Sequence, residues 1–227
     1  MRAAALAALA ITLAACAHAA MPSVREGALR YVALGDSYTI GTSVSAAESW
    51  PSQLAARLPD LQLVANLGVN GYTSADLIDE ELPALAGLRP GFVTLLIGVN
   101  DVVQGVSEQS YRVNAERILD AVLALVPANR LLCVATPDYT VTPQGAAFGS
   151  PEQQRAGIER VNAVLRDACG GRGARFVPDI FEISQRAAAD RSLVAGDGLH
   201  PSGSQYALWV DAIQPIVEEL LLPSSDR

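Results

Sequence analysis

Short apolar runs alternate with stretches of helical periodicity along most of this chain. Strand-length runs fall at Leu29–Leu34, Leu61–Asn66, Phe92–Ile97, Leu131–Thr136 and Ala174–Val177. Apolar positions recur at helical spacing over Glu48–Leu58, Ser74–Leu85, Glu108–Val126, Pro151–Ala168 and Ser202–Leu222. The run Phe92-Val93-Thr94-Leu95-Leu96-Ile97 scarcely alternates, which predicts a strand covered on both faces. Strand–helix alternation of this kind predicts an α/β fold, a three-layer α/β/α sandwich around a five-stranded parallel sheet. No internal repeat or low-complexity tract interrupts it, so residues 28–224 are expected to form one domain.

The polar motifs fall where such a sheet places its sites, beyond the carboxyl ends of the strands. Gly35-Asp36-Ser37 follows the first run, Gly68-Val69-Asn70-Gly71 the second and Gly98-Val99-Asn100-Asp101 the third. Asp197-Gly198-Leu199-His200-Pro201 lies after the fifth, just ahead of the last helical stretch. The connection Pro137–Ser150 leaves the fourth run on the same edge; its length fits a substrate-facing flap or an inert surface loop. A serine just past a buried strand and a histidine near a carboxylate are the parts of an activated-serine nucleophile. Taken singly, each motif also has a plainer reading. Gly-Asp-Ser can be a turn and helix cap, Asn70-Gly71 a tight turn, Asn100 a turn residue, and His200 a residue beside a helix start.

Composition narrows the chemistry. Of 227 residues half are hydrophobic and 18% charged, which fits a packed domain. The net charge of −8 argues against nucleic acid as a partner, because phosphate binding needs a basic face. Every basic residue other than the two histidines is an arginine, so a P-loop, a lysine Schiff base and a Ser-Lys pair are all excluded. No Gly-x-Gly-x-x-Gly follows a strand, and no cofactor is expected. One histidine in the domain and two distant cysteines give no zinc-ligand spacing, so no metal is expected either.

The N-terminus has the pattern of a targeting leader over residues 1–16: Arg2, then the apolar Ala3–Ala15, too short to span a bilayer as a mature helix. Leu13-Ala14-Ala15-Cys16 resembles the lipobox of bacterial lipoproteins, which implies lipidation at Cys16 and a tether over 17–27. Ordinary secretion with cleavage after Ala17-His18-Ala19 is the alternative. Either route exports the protein to the envelope or beyond, and its only expected membrane contact is the lipid anchor. Cys133 sits in a strand-like run and Cys169 at the end of a helical one. They are expected to be two independently buried thiols rather than a bridge, although export permits a disulfide.

Four separated blocks, in order across nearly the whole mature chain, resemble those of the SGNH hydrolases, also called GDSL-type esterases and lipases. They are Gly35-Asp36-Ser37-Tyr38, Asn70-Gly71-Tyr72-Thr73, Gly98-Val99-Asn100-Asp101 and Asp197-Gly198-Leu199-His200-Pro201. Tyr38 stands where the GDSL acronym has leucine, at a position that varies in the family. The resemblance implies a flavodoxin-like sandwich and a serine mechanism acting on a small ester or acylated substrate. Ser37 would be the nucleophile, His200 its base and Asp197 the acid orienting the imidazole. The Ser37 N–H, Gly71 and the Asn100 amide would form an oxyanion hole. Asp36 would hold the loop and Asp101 would anchor its surroundings. The expected function is an exported serine esterase working through an acyl-enzyme. The alternatives are an envelope carbohydrate O-acetyl esterase, or a non-catalytic envelope lipoprotein on the same fold.

Overall fold

The structure, a computed structural model, describes residues 24–222. The leader, the Cys16 lipidation site and the tether up to residue 23 lie outside the described residues. Five strands form the sheet: β1 (Leu29–Gly35), β2 (Leu61–Asn66), β3 (Phe92–Leu96), β4 (Leu131–Val134) and β5 (Arg175–Val177). All neighbours pair in parallel, in the order β2-β1-β3-β4-β5. The chain thus steps outward from β1 to β2, then returns past β1 to build the other half. This reversal opens a crevice at the carboxyl ends of β1 and β3.

The helices are α1 (Ser37–Ile40), α2 (Trp50–Arg57), α3 (Ser74–Asp76), α4 (Leu82–Leu88), α5 (Val99–Val103), α6 (Glu108–Leu123), α7 (Pro151–Gly170), α8 (Asp179–Gln185) and α9 (Gly203–Leu221). The sheet's two faces carry separate cores, set by the alternation of side chains along each strand. Tyr31, Ala33, Phe92, Leu96, Leu132 and Val134 point toward α2, α8 and α9, meeting Trp50, Leu54, Ile180, Trp209 and Ile213. Val32, Leu34, Val93, Leu95, Leu131 and Cys133 point to the other face, under Leu77, Leu85, Ile118, Val164 and Leu165. Each fully buried aliphatic or aromatic side chain here contributes about 1.5–3 kcal/mol. This two-sided burial explains why the β3 and β4 runs scarcely alternate. Among the described residues, no helix is long and apolar enough to cross a membrane.

The expected helices are found with shifted ends. Ser202 caps α9 by accepting the Gln205 N–H, so that helix begins one residue later than its apolar pattern suggests. α1, α5 and α8 were not anticipated; α1 and α5 are single turns, and all three are too short for a periodic signal. The cysteines correct an expectation. Cys133 and Cys169 form a disulfide, with an S–S distance of 2.09 Å, rather than two separate thiols. Cys133 projects to the face that α7 covers, and Cys169 ends the buried stripe Val161, Val164, Leu165 and Ala168 of that helix. Strand and helix are antiparallel layers of one core, which brings together two residues that are 36 apart in sequence.

One polar group lies deep in this core. The helical segment after β2 widens into a π turn over Leu77–Glu81, between α3 and α4. Glu81 is 3% exposed, and its Oε2 accepts the Gly35 N–H at 3.0 Å. Its Oε1 and Asp36 Oδ2 are buried without hydrogen-bond partners. Burial, reinforced by the nearby charge of Asp36, pushes the Glu81 carboxyl up to about 9, and the Gly35 hydrogen bond offsets this only in part.

Two measurements check these features. Reducing the disulfide is expected to cost about 2–4 kcal/mol, read as a lower urea midpoint in dithiothreitol, given the loop it closes. An unchanged midpoint would contradict the bridge. Glu81 is protonated when folded but ionised in the unfolded chain between its ordinary value of 4.5 and about 9. The folded state therefore loses stability as pH rises through that window. Glu81→Gln keeps the neutral shape, so its urea midpoint should gain on the parent's from pH 5 to pH 9. Parallel midpoints across that range would show that Glu81 is already ionised in the fold.

Candidate active site

The site begins where β1 stops. Gly35 has φ +152°, and a Cβ there would lie 2.1 Å from the Leu96 carbonyl oxygen and 2.3 Å from Thr39 Oγ1. Only glycine lets the chain turn so tightly against β3. Asp36 follows as the cap of α1, accepting the Tyr38 N–H at 2.9 Å. Complete burial pushes its carboxyl up to about 7 despite that hydrogen bond. Ser37 is then the first residue of α1, in the turn where backbone N–H groups lack intrahelical partners. Asn66, ending β2, clamps this turn by donating to the Thr39 carbonyl at 2.7 Å.

Gly71 has φ +83°, and a Cβ on it would meet no atom within 4 Å. Backbone conformation, not lack of space, demands glycine here. The block after β3 holds this segment from the other side. Asn100 Nδ2 donates one hydrogen to the Tyr72 carbonyl at 2.9 Å, which orients the amide and leaves its second hydrogen available. Asp101, 1% exposed, accepts the Ser74 N–H at 2.9 Å and the Ser74 hydroxyl at 2.5 Å. Asp101 therefore does anchor the surroundings, by tying the β3 loop to the β2 loop.

The histidine loop is closed by an antiparallel bridge between Val194 and Pro201. Within it, Asp197 Oδ1 accepts the N–H groups of Leu199 at 2.9 Å and His200 at 3.0 Å. Asp197 Oδ2 meets His200 Nδ1 at 2.5 Å and takes the Ser43 hydroxyl at 2.7 Å. Partial burial would raise this carboxyl. The hydrogen bonds from Ser43, the imidazole and the two amides outweigh it and hold Asp197 well below the usual carboxylate range. An imidazole that donates through Nδ1 to a carboxylate keeps Nε2 as its acceptor. The Tyr38 ring lies 5.1 Å from the imidazole, so the residue after Ser37 packs directly on His200.

These loops surround one cavity of about 180 Å³. Ser37, Gly71, Asn100 and His200 all line it, with Asp197 behind the imidazole. Tyr38, Val99, Val103, Tyr139, Phe148 and Leu199 supply apolar wall. The Pro137–Ser150 connection faces this cavity through Tyr139 and Phe148. It folds into two 3₁₀ turns, Tyr139–Val141 and Gly145–Phe148, and places Tyr139 against Phe148 with ring centroids 5.5 Å apart. Ile40 lines a separate recess with Val69, and Tyr72 contributes its carbonyl to Asn100. Among the described residues, no three His, Cys, Asp or Glu side chains come together as a metal-binding group.

Sequence reasoning missed Ser43 and Glu81. Ser43 gave no signal, because its contact with Asp197 spans 154 positions. Glu81 had one: it continues the spacing of Leu77, Ile78 and Leu85, and so occupies a core-facing place on an apolar stripe.

No curated protein sequence matches the chain. Several solved structures share the fold. TesA superposes with a TM-score of 0.67 at 21% identity, covering 85% of this chain and 99% of its own. A lipase/acylhydrolase from Enterococcus faecalis gives 0.67 at 21%, covering 86% and 98%. A variant of an acetyl xylan esterase from Geobacillus stearothermophilus gives 0.66 at 17%, covering 87% and 99%. At these identities the likeness concerns the fold. The family assignment rests on the sequence match over residues 33–208, which contains the β1, β2 and β3 loops and the histidine loop: the chain belongs to the GDSL-like lipase/acylhydrolase family.

Proposed function

We propose that this protein is an exported serine esterase that hydrolyses apolar acyl esters through an acyl-enzyme. The observation that carries the reading is a single cavity walled by Ser37, Gly71, Asn100 and His200, with Asp197 hydrogen-bonded to the imidazole. Ser37 attacks the ester carbonyl as His200 takes its proton. His200 then returns the proton to the leaving alcohol, and water repeats the sequence on the acyl-enzyme. Asp197, held ionised, stabilises the imidazolium that forms and fixes its tautomer. The Ser37 and Gly71 N–H groups and the free hydrogen of the Asn100 amide receive the charge that develops on the carbonyl oxygen. No cofactor or metal takes part in these steps.

The cavity's walls favour a hydrocarbon acyl group over acetyl, because Val99, Val103, Tyr139, Phe148 and Leu199 offer it no polar partner other than the Tyr139 hydroxyl. That hydroxyl is already engaged with Gln154. Export is supported by the leader pattern and by the Cys133–Cys169 disulfide, which suits an oxidising compartment. Lipidation at Cys16 would add an envelope anchor.

A panel of p-nitrophenyl esters from acetate to decanoate tests the reading. At about 0.8 kcal/mol per buried methylene, kcat/KM should rise about fourfold with each added carbon until the cavity is full. Ser37→Ala should abolish turnover, and Asn100→Ala should lower kcat by about 10²–10³. Turnover that survives Ser37→Ala would refute the serine mechanism. A panel in which only the acetate is cleaved would favour a carbohydrate O-acetyl esterase instead.

A further inference from the structure

Ser43 lies in the turn after α1, six residues beyond Ser37, and it is exposed. It adopts φ +68°; among the described residues only Arg89 shares this left-handed backbone without being glycine. An L residue with a Cβ is disfavoured there, and serine is not among the residues that tolerate it best. Closing the turn does not require it. Gly41 already takes the left-handed cap position of α1, and the N–H groups of Gly41 and Thr42 both return to the Ser37 carbonyl at 3.1 Å. What the conformation achieves is a contact: the Ser43 hydroxyl reaches Asp197 Oδ2 at 2.7 Å.

That oxygen is the one that holds His200 Nδ1. The other oxygen is occupied by two backbone N–H groups, so Ser43 adds a fourth donor to the carboxylate. Water could satisfy the same lone pair. Water is not covalently continuous with the nucleophile's turn, however, and Ser43 is: only the rest of α1 and two further residues separate it from Ser37.

We propose that Ser43 is a positioning residue that acts through Asp197, fixing the carboxylate's rotation and locking the histidine loop to the turn that carries Ser37. The inference rests on the assignment of Ser37, His200 and Asp197 as nucleophile, base and orienting acid. Ser43 is not among the residues that line the Ser37 cavity. Its hydrogen bond also draws charge from Oδ2, so it tempers how strongly Asp197 favours the imidazolium. Removing it should leave the imidazole more basic as well as less well placed.

Four forms of the protein test this: the parent, Ser43→Gly, Ser43→Asn and Ser37→Ala, assayed for kcat, KM, pH profile and Tm. Glycine is at ease at φ +68°, so Ser43→Gly should fold with an undiminished Tm. It should lower kcat about tenfold with little change in KM, the size of effect expected for losing a group that orients a catalytic side chain. The acid limb of its kcat profile should move to higher pH. Asparagine tolerates the left-handed conformation and offers an amide donor, so Ser43→Asn should recover most of the lost kcat. Other titratable groups surround the pair: Tyr38 and Tyr139 on the cavity wall, Tyr206 of α9, Asp36 beneath α1, and Asp138, which is ion-paired with Arg155. None is altered in the Ser43 variants, so a change in the limb between variants reports the Ser43–Asp197 contact. Parent-like kcat and acid limb in Ser43→Gly, or no recovery in Ser43→Asn, would overturn the inference and leave the serine reading intact. Turnover surviving in Ser37→Ala would overturn that reading, and this inference with it.

Discussion

Every part of the site depends on strand polarity. Because all five strands run in parallel, each must deliver its following loop to the same edge of the sheet. The order β2-β1-β3-β4-β5 then places the β1 and β3 loops on opposite sides of a crevice, since the chain departs in opposite directions from β1. Ser37 and Asn100 flank that crevice, Gly71 closes it from β2, and the loop before α9 brings His200 over it. Residues 163 positions apart, Ser37 and His200, come to share one wall through this geometry and not through any local signal.

The carboxyl groups around the crevice divide by environment. Asp36, Glu81 and Asp101 are buried, and burial raises all three. Glu81 and Asp101 accept hydrogen bonds from backbone and hydroxyl groups of neighbouring loops, and Asp36 caps its own turn, so together they fix where those segments lie. Asp197 is more than a quarter exposed on its side chain, accepts four hydrogen bonds and stays ionised. A carboxylate that must stabilise a transient imidazolium needs its charge available across the working pH range. Carboxyls that only brace the Ser37 turn and its neighbouring loops do not. Desolvation and hydrogen-bond supply thus sort chemically similar groups into buried supports and one carboxylate held ionised beside His200.

The fold was legible because β1, β3 and β4 are covered on both sides and so read as largely apolar runs that scarcely alternate, and because α6, α7 and α9 are long enough to show their period. The residues that meet at the cavity were legible where they are clustered in sequence: Asp36-Ser37, Asn70-Gly71, Asn100-Asp101 and Asp197 with His200. Long-range contacts were not. The Cys133–Cys169 bridge requires knowing that α7 lies along β4, and no property of either cysteine alone reports it. Ser43 is one of several small polar residues in its loop, and its partner is at the far end of the chain. Single-turn helices such as α5 leave too few residues for any period to show. The role of the Pro137–Ser150 connection was undecidable from length alone, since the Tyr139–Phe148 contact arises only once its two 3₁₀ turns have formed.

The central claim is that the Ser37 hydroxyl is made nucleophilic by His200. Peptide mapping after reaction with a fluorophosphonate measures this most directly, since the reagent bonds to serines whose hydroxyl is activated by a neighbouring base. The adduct should lie on Ser37 alone, and it should disappear in His200→Ala. Modification of a different serine, or undiminished labelling of Ser37 without the imidazole, would contradict the mechanism.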